Sequence, residues 1–324
     1  MPSTKTRAGS AYASPPPSKR GGGRWTFALV AVLGLGGAAY VWTTGHVADV
    51  VVHEQCTATA KDMTTTLSPE RMGNAAIIAG ISVKRGLPAR AASIGLATAI
   101  QESKLQNLDY GDRDSLGLFQ QRPSQGWGTK AEVRDPVYAT NAFYDVLVKI
   151  EGYEGLEITK AAQKVQRSAF PDAYADHESE ARALASTLTG YTEAGLTCVL
   201  KPLTASTSPE ATSPGKDGLI PSARAVAVAA GNETVAQLRR PLGDQGRYLL
   251  FGTPGDDTRL GWSVAQWAVA RAWGLDIVGV ETDGRRWDRQ DPGGGWSSSD
   301  GALPDGGKLG AGQILIEVAP TDAS

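Results

Sequence analysis

The stretch that decides the fold runs from Ala97 to Gly128 and reads ATAIQESKLQNLDYGDRDSLGLFQQRPSQGWG. Its first residues continue an apolar pattern that begins after Pro88, and this spacing predicts a helix that buries one face. The pattern stops near Glu102, and the residues from Gln106 onward are rich in Gly, Asp, Ser and Gln. We therefore expect an ordered polar loop after the helix, with Glu102 at the boundary between them.

A carboxyl group at such a boundary can act as an acid. Partial burial disfavours the charged form, which raises the pKa and keeps the group protonated near neutral pH. A protonated carboxyl can donate its proton to the oxygen of a glycosidic bond. The loop adds amide and aromatic side chains that suit sugar hydroxyls and ring faces, among them Gln120, Gln121 and Trp127. The residue pattern thus makes Glu102 a candidate catalytic acid beside a sugar site, with a solvated glutamate at a helix end as the alternative.

The motif around Glu102 resembles the soluble lytic transglycosylases, which belong to the lysozyme-like superfamily. That family has a catalytic Glu-Ser pair at the end of an apolar helix and a Gly-Leu-Met-Gln-like element on the next loop. Here Glu102-Ser103 is followed by GLFQ at residues 117–120, close to the family separation. The resemblance covers roughly Met72 to Tyr174. The sequence of the loop is similar to that of actinobacterial, membrane-anchored lysozyme-like proteins.

The resemblance implies cleavage of the glycan strands of cell-wall peptidoglycan. Glu102 protonates the bond between N-acetylmuramic acid and N-acetylglucosamine. It then serves as base while the muramoyl C6 hydroxyl attacks C1, which leaves a 1,6-anhydromuramoyl end. This route needs a single carboxylate, because the nucleophile belongs to the substrate. The substrate-binding residues expected from the loop and from the resemblance are Ser103, Gln120, Gln121, Trp127 and Gln166.

A hydrolytic variant of the reaction stays open. A hydrolase would use a second carboxylate at about 5–9.5 Å from the first. The candidates in the loop are Asp109, Asp112 and Asp114. Their alternative interpretation is structural, because Asp favours turns and caps.

One departure from the family pattern concerns the residue that supports the catalytic glutamate. The family has a Tyr-Asn pair there, whereas this chain has Val165-Gln166, and valine cannot donate a hydrogen bond. Tyr174 or Tyr138 could supply the missing hydroxyl. The departure keeps a second hypothesis open, namely a non-enzymatic peptidoglycan-binding or cell-wall assembly protein with a degenerate lysozyme-like cleft.

The N-terminal residues predict an anchor in the plasma membrane. Residues 1–24 carry only basic charges among Pro and small polar residues, which predicts a disordered cytoplasmic tail. Residues 25–44 read WTFALVAVLGLGGAAYVWTT, an uncharged run long enough for one transmembrane helix. Because the flanking basic residues lie on the N-terminal side, we expect the main domains to be extracellular. A cleaved signal peptide is the alternative, although its apolar run is usually shorter.

Cys56 and Cys198 are the two cysteines of the sequence, and both fall on the exported side. They bracket a segment of domain size, which predicts a disulfide, with two buried free thiols as the alternative. The three histidines are scattered without ligand spacing, so we expect neither a metal nor another cofactor. The formal net charge of -2 gives no reason to expect a nucleic-acid partner.

The distribution of helical and strand patterns predicts two exported domains. Helical patterns dominate residues 52–200, so we expect a mainly α lysozyme-like domain after one transmembrane helix. Residues 201–222 are rich in Ser, Thr and Pro and are typical of a linker. Residues 223–320 mix helical and strand patterns, which predicts a small accessory α+β domain.

Overall fold

The structure is a computed structural model, and it describes residues 52–167, 173–203, 205–206, 208–291 and 293–320. The predicted tail at 1–24 and the predicted apolar helix at 25–44 therefore lie outside the described residues. Within the described ranges, no helix combines the length and the apolar character that crossing a bilayer requires.

The expectation of a mainly α fold is wrong, because strands accompany the helices in both halves of the described chain. These strands form two antiparallel sheets, one with three strands and one with six. The inward positions of the first strand hold Cys56, Ala58 and Ala60. Side chains this small give a weak alternating pattern, and so the first sheet has little signal in the sequence.

The three-stranded sheet joins the two ends of the N-terminal half. It consists of β1 (Gln55–Ala60), β2 (Met63–Leu67) and β3 (Leu196–Val199), in the order β2-β1-β3. Cys56 and Cys198 lie opposite each other in the β1–β3 ladder, and their sulfurs are bonded. The predicted disulfide is confirmed.

Between β2 and β3 the described chain forms helices separated by loops, the longest of which follows α2, and local capping explains where several helices begin. Pro69 and Pro136 occupy first helical positions, where the missing N–H costs no hydrogen bond. Thr129 and Glu132 form a capping box, and the Asp135 carboxylate accepts a hydrogen bond from the Tyr138 N–H. The helices are α1 (Pro69–Lys84), α2 (Ala89–Ser103), α3 (Lys130–Arg134), α4 (Pro136–Leu147), α5 (Ile158–Gln166) and α6 (Glu178–Leu188).

The C-terminal half contains the six-stranded sheet, whose strand order is β4-β5-β9-β6-β7-β8. Every pairing in it is antiparallel. Its strands are β4 (Gln237–Leu242), β5 (Tyr248–Gly252), β6 (Ile277–Thr282), β7 (Arg285–Asp288), β8 (Trp296–Ser298) and β9 (Gln313–Val318). The helices described in this half are α7 (Pro209–Thr212), α8 (Pro221–Glu233) and α9 (Thr258–Arg271).

Helix α9 joins the two halves, because it contacts α1, α6 and β3 as well as strands β6 and β9. Its Gln266 is fully buried. The Gln266 amide donates to the carbonyls of Thr187 and Thr192, and its oxygen accepts from the Leu196 N–H. Residues 50–324 group into one compact unit. The boundaries predicted at 52–200, 201–222 and 223–320 stay a prediction, and the described contacts across them are extensive.

Tryptophans of the C-terminal half take part in this packing. Trp287 is fully buried and donates to the carbonyl of Cys198. Trp296 donates to the Leu196 carbonyl at 2.8 Å, so both indoles cover the outer backbone of β3. Gly80 allows α1 to approach the end of α8, since a Cβ there would lie 2.5 Å from the Glu233 carbonyl oxygen.

Candidate active site

Glu102 lies on the last turn of α2, where the buried face of the helix gives way to the loop. The helix ends there because Lys104 adopts a left-handed conformation with φ 54°. The side chain of Glu102 is half-buried. Its Oε1 accepts a hydrogen bond of 2.7 Å from the hydroxyl of Tyr174, a fully buried residue. A carboxyl with restricted solvent access is thus held in one orientation.

The surroundings of Glu102 act on its pKa in opposite directions. Burial raises the pKa, and this is the largest effect. Hydrogen bonds from Tyr174 and Gln166 stabilise the ionised form and lower the pKa, but the net direction is upward. A glutamic acid that keeps its proton to higher pH than usual is suited to general acid catalysis.

Ser103 and Gln166 fix the loop that follows α2. The Ser103 hydroxyl is buried and donates to the carbonyl of Leu118 at 2.7 Å and to that of Ala99 at 3.0 Å. The Gln166 amide donates to the Phe119 carbonyl at 2.7 Å. Ser103, predicted to bind substrate, therefore serves to hold the loop against the helix. Gln166 is half-buried and contacts both the loop and Glu102.

The two loop glutamines differ in their surroundings. Gln121 is 2% exposed, and its amide donates to the carbonyl of Ala139. Because the Gln121 side chain is buried, the structure does not support its predicted contact with substrate. Gln120 is half-buried with a left-handed φ of 47°. Its amide donates to the carbonyls of Tyr110 and Gly117, both at 3.3 Å.

Trp127 and Gln166 line one open groove of about 520 Å³. Trp127 is half-buried, and its inner part packs against the core. Val165, the residue that departs from the family pattern, also lines this groove. Gln166 also hydrogen-bonds to Glu102, so one lining residue connects the groove to the carboxyl group. The lining residues are Gln125, Gly126, Trp127, Val146, Val165, Gln166 and Arg167.

The carboxylates considered as partners of Glu102 have other roles or face elsewhere. Asp114 accepts hydrogen bonds from the Ser124 N–H and the Arg122 guanidinium, which lower its pKa to about 2. Asp114 and Asp109 line a different groove, together with the helix start at Lys130. Asp112 is exposed.

Tyr174 is the hydrogen-bond donor to Glu102 that the sequence alone did not single out, because Tyr138 was an equal candidate. Tyr138 is 37% exposed, and its hydroxyl lies 2.7 Å from where a Cβ of Gly128 would stand. The structure brings Tyr174 to Glu102 instead. Tyr174 and Glu102 are 72 positions apart, and a single sequence does not reveal that two such distant residues are in contact.

No cluster of three or more His, Cys, Asp or Glu side chains that could hold a metal ion occurs among the described residues. His177 lies near the site and hydrogen-bonds to Gln101 through its Nε2 at 2.8 Å. The expectation of a metal-free site stays a prediction.

No protein-family model matches this chain, and no curated protein matches it. The similarity to the lytic transglycosylases therefore rests on the motifs at residues 102–103 and 117–120.

Proposed function

We propose that this chain cleaves peptidoglycan glycan strands as a lytic transglycosylase, with Glu102 as its general acid and base. The observation that carries the proposal is the half-buried Glu102 carboxyl, oriented by Tyr174 and shifted to a raised pKa. The resemblance of residues 102–103 and 117–120 to the family motif gives the substrate class.

In the first step, protonated Glu102 donates its proton to the glycosidic oxygen. The bond to C1 of the muramoyl unit breaks, and the N-acetylglucosamine hydroxyl leaves. Glu102 is now ionised, and its charge is stabilised by the hydrogen bonds from Tyr174 and Gln166. In the second step, the C6 hydroxyl attacks C1 while Glu102 accepts its proton. The carboxyl is protonated again, and the product carries a 1,6-anhydro ring.

The surroundings of the acidic loop residues support transfer rather than hydrolysis. A hydrolase needs a second carboxylate to activate water or attack C1. Asp114 is engaged with Arg122 and Ser124, and it shares a groove with Asp109 whose lining does not include Glu102. A mechanism in which the substrate supplies its own nucleophile is compatible with this arrangement.

The groove beside Glu102 has the composition of a sugar site. Trp127 adds an apolar indole that suits a sugar ring, and Gln166, which lines the same groove, hydrogen-bonds to Glu102. The non-enzymatic hypothesis was based on Val165, which cannot orient the glutamate. The hydrogen bond from Tyr174 to Glu102 orients the glutamate in this chain and supports the enzymatic hypothesis.

An extracellular site of action forms part of the proposal. The disulfide between Cys56 and Cys198 supports it, because such bonds persist in oxidising compartments. The location in the plasma membrane rests on residues 25–44 and stays a proposal from sequence.

Digestion of purified peptidoglycan by the 324-residue chain tests the proposal. Soluble products are separated and identified by mass spectrometry for the wild type, Glu102→Gln and Glu151→Gln, the last being an exposed control. We expect 1,6-anhydro products from the wild type and the control, and none from Glu102→Gln. Sedimentation with the wall without any cleavage by the wild type would overturn the enzyme and favour a binding protein.

A further inference from the structure

Among the described residues that line the groove with Trp127 and Gln166, Arg167 is the one that carries a charge. Its side chain is exposed, and within the described chain no carboxylate forms an ion pair with it. The other described side chains of the lining are neutral, so Arg167 gives this described part of the groove a positive charge. An unpaired guanidinium at the rim of a neutral groove attracts an anionic group of a bound ligand.

The backbone at Arg167 gives no reason for an arginine. The residue ends α5 in a left-handed conformation, with φ 52° and its N–H bonded to the Gln163 carbonyl. Glycine adopts this conformation without strain and is the usual residue at such a helix end. Other non-glycine residues of the described chain adopt the same conformation, Lys104 at the end of α2 among them, so it is the charge of Arg167 and its place in the groove that indicate a role for its side chain.

We infer that Arg167 is a specificity-determining residue that binds a carboxylate on the lactyl arm of the muramoyl unit. The inference rests on the proposed function. The lactyl ether distinguishes N-acetylmuramic acid from N-acetylglucosamine, and it places an acidic group beside the sugar ring. If the muramoyl ring packs against Trp127 and the scissile bond lies at Glu102, Arg167 is the lining residue available to bind that acidic group.

The carboxylate has two chemical sources. In peptide-free glycan it is the lactyl carboxylate itself. In peptide-bearing glycan the lactyl carbonyl forms an amide, and the acidic groups belong to the peptide. Both ligands present an anion from the same arm, whereas an oligomer of N-acetylglucosamine presents none.

Binding measured by titration calorimetry separates these ligands without cleavage. The protein in these titrations is the 324-residue chain with the substitution Glu102→Gln, which prevents cleavage. The three probes are an N-acetylglucosamine oligomer, a peptide-free glycan and a peptide-bearing glycan of equal length. We expect at least one acidic glycan to bind about fivefold more tightly than the neutral oligomer, as for one partly exposed ion pair. The acidic glycan that shows the preference identifies the source of the carboxylate.

Two further substitutions test the role of Arg167. Arg167→Gly removes the charge and suits the left-handed backbone, so folding should be retained and the preference should disappear. Arg167→Lys keeps the charge but not the planar fork, and it should retain part of the preference. Arg113→Gly is the matched control, because Arg113 is also exposed with a left-handed φ of 57° but lines the groove of Asp109.

Equal affinity for all three probes would overturn this inference and leave the proposed function standing. A preference that persists in Arg167→Gly, or that is lost equally in Arg113→Gly, would also overturn it. Failure to bind any probe would overturn the inference and the proposed sugar site together. Loss of anhydro products in the digestion, with the binding preference intact, would overturn catalysis alone.

Discussion

The hydroxyl of Tyr174 donates a 2.7 Å hydrogen bond to Oε1 of Glu102, across 72 positions of sequence. Tyr174 is fully buried, whereas the carboxyl lies where helix α2 meets the loop. The resemblance to known transglycosylases would have placed such a tyrosine at Val165 on α5. In this chain the donor comes from the segment between α5 and α6.

Tyr174→Phe should lower kcat about tenfold, the equivalent of one hydrogen bond that orients and stabilises the ionised glutamate. The hydrogen bond lowers the pKa of Glu102, so its removal should raise that pKa further. Activity that needs protonated Glu102 is lost as pH rises through this pKa. The alkaline limb of the pH–activity profile should therefore move to higher pH in the variant.

Tyr138→Phe is the control for this experiment, since Tyr138 is partly exposed and lies beside Gly128. Its kcat and pH profile should match the wild type. An alkaline limb that stays in place or moves to lower pH in Tyr174→Phe would show that the hydrogen bond does not act on the catalytic ionisation.

Glu102→Gln should stabilise the fold at neutral pH by about 0.5–2 kcal/mol, the usual gain when a strained site is relieved. The folded pKa of Glu102 is raised above its ordinary value of 4.5, so the folded state retains a proton that the unfolded state releases. Wild-type stability therefore falls as pH rises from about that value through the folded pKa. Glutamine does not ionise and avoids this loss.

Urea unfolding at several pH values measures the difference between the two proteins. The stabilisation should appear above the ordinary glutamate pKa and vanish in more acidic solution. If Glu102→Gln loses stability relative to wild type as the pH rises from acidic to neutral, the pKa of Glu102 is not raised in the folded protein.

Replacement of both Cys56 and Cys198 by alanine should destabilise the fold by about 4–5 kcal/mol, the chain-entropy value for a long loop. The two cysteines are separated by 142 positions, and they link strands β1 and β3. Unfolding in urea with and without a reductant measures the effect. The reductant should lower wild-type stability and leave the double variant unchanged. Equal stability of all samples would show that the disulfide does not stabilise the fold.

Gln266→Ala should destabilise the fold by about 3 kcal/mol or more, because it removes the partner of three buried backbone groups. These are the carbonyls of Thr187 and Thr192 and the N–H of Leu196. Calorimetric unfolding should show a single transition for both proteins, with the variant at lower Tm. Exposed Gln237→Ala is the control and should change stability by less than about 0.5 kcal/mol. Two separate transitions in the wild type would contradict a shared core.

The helices were more predictable than the sheets, for a physical reason. Residues that start helices, such as Pro69 and Pro136, act locally and can be identified from a few neighbours. Strand β1 buries only small side chains, so its alternation is weak in the sequence. The mainly α expectation failed at this point. The packing of α9 on α1 depends on contacts between distant residues, which one sequence does not reveal.

The candidate site was partly predictable. Glu102 could be selected because the Glu-Ser pair at the helix end and the GLFQ element on the following loop lie close together in sequence and resemble a family motif. Ser103 and Gln121 were predicted to bind substrate, but both are buried and bonded to backbone carbonyls. Residue type alone does not tell which side of a loop a polar side chain faces. The membrane anchor at residues 25–44 stays a prediction.

Digestion of peptidoglycan in water enriched with heavy oxygen separates transfer from hydrolysis. If Glu102 drives transfer to the C6 hydroxyl of the substrate, the new ends are 1,6-anhydro and carry no label. We expect such unlabelled ends from the wild type and none from Glu102→Gln. Labelled reducing ends would contradict the transfer mechanism and indicate hydrolysis, and equal products from the variant would contradict the role of Glu102.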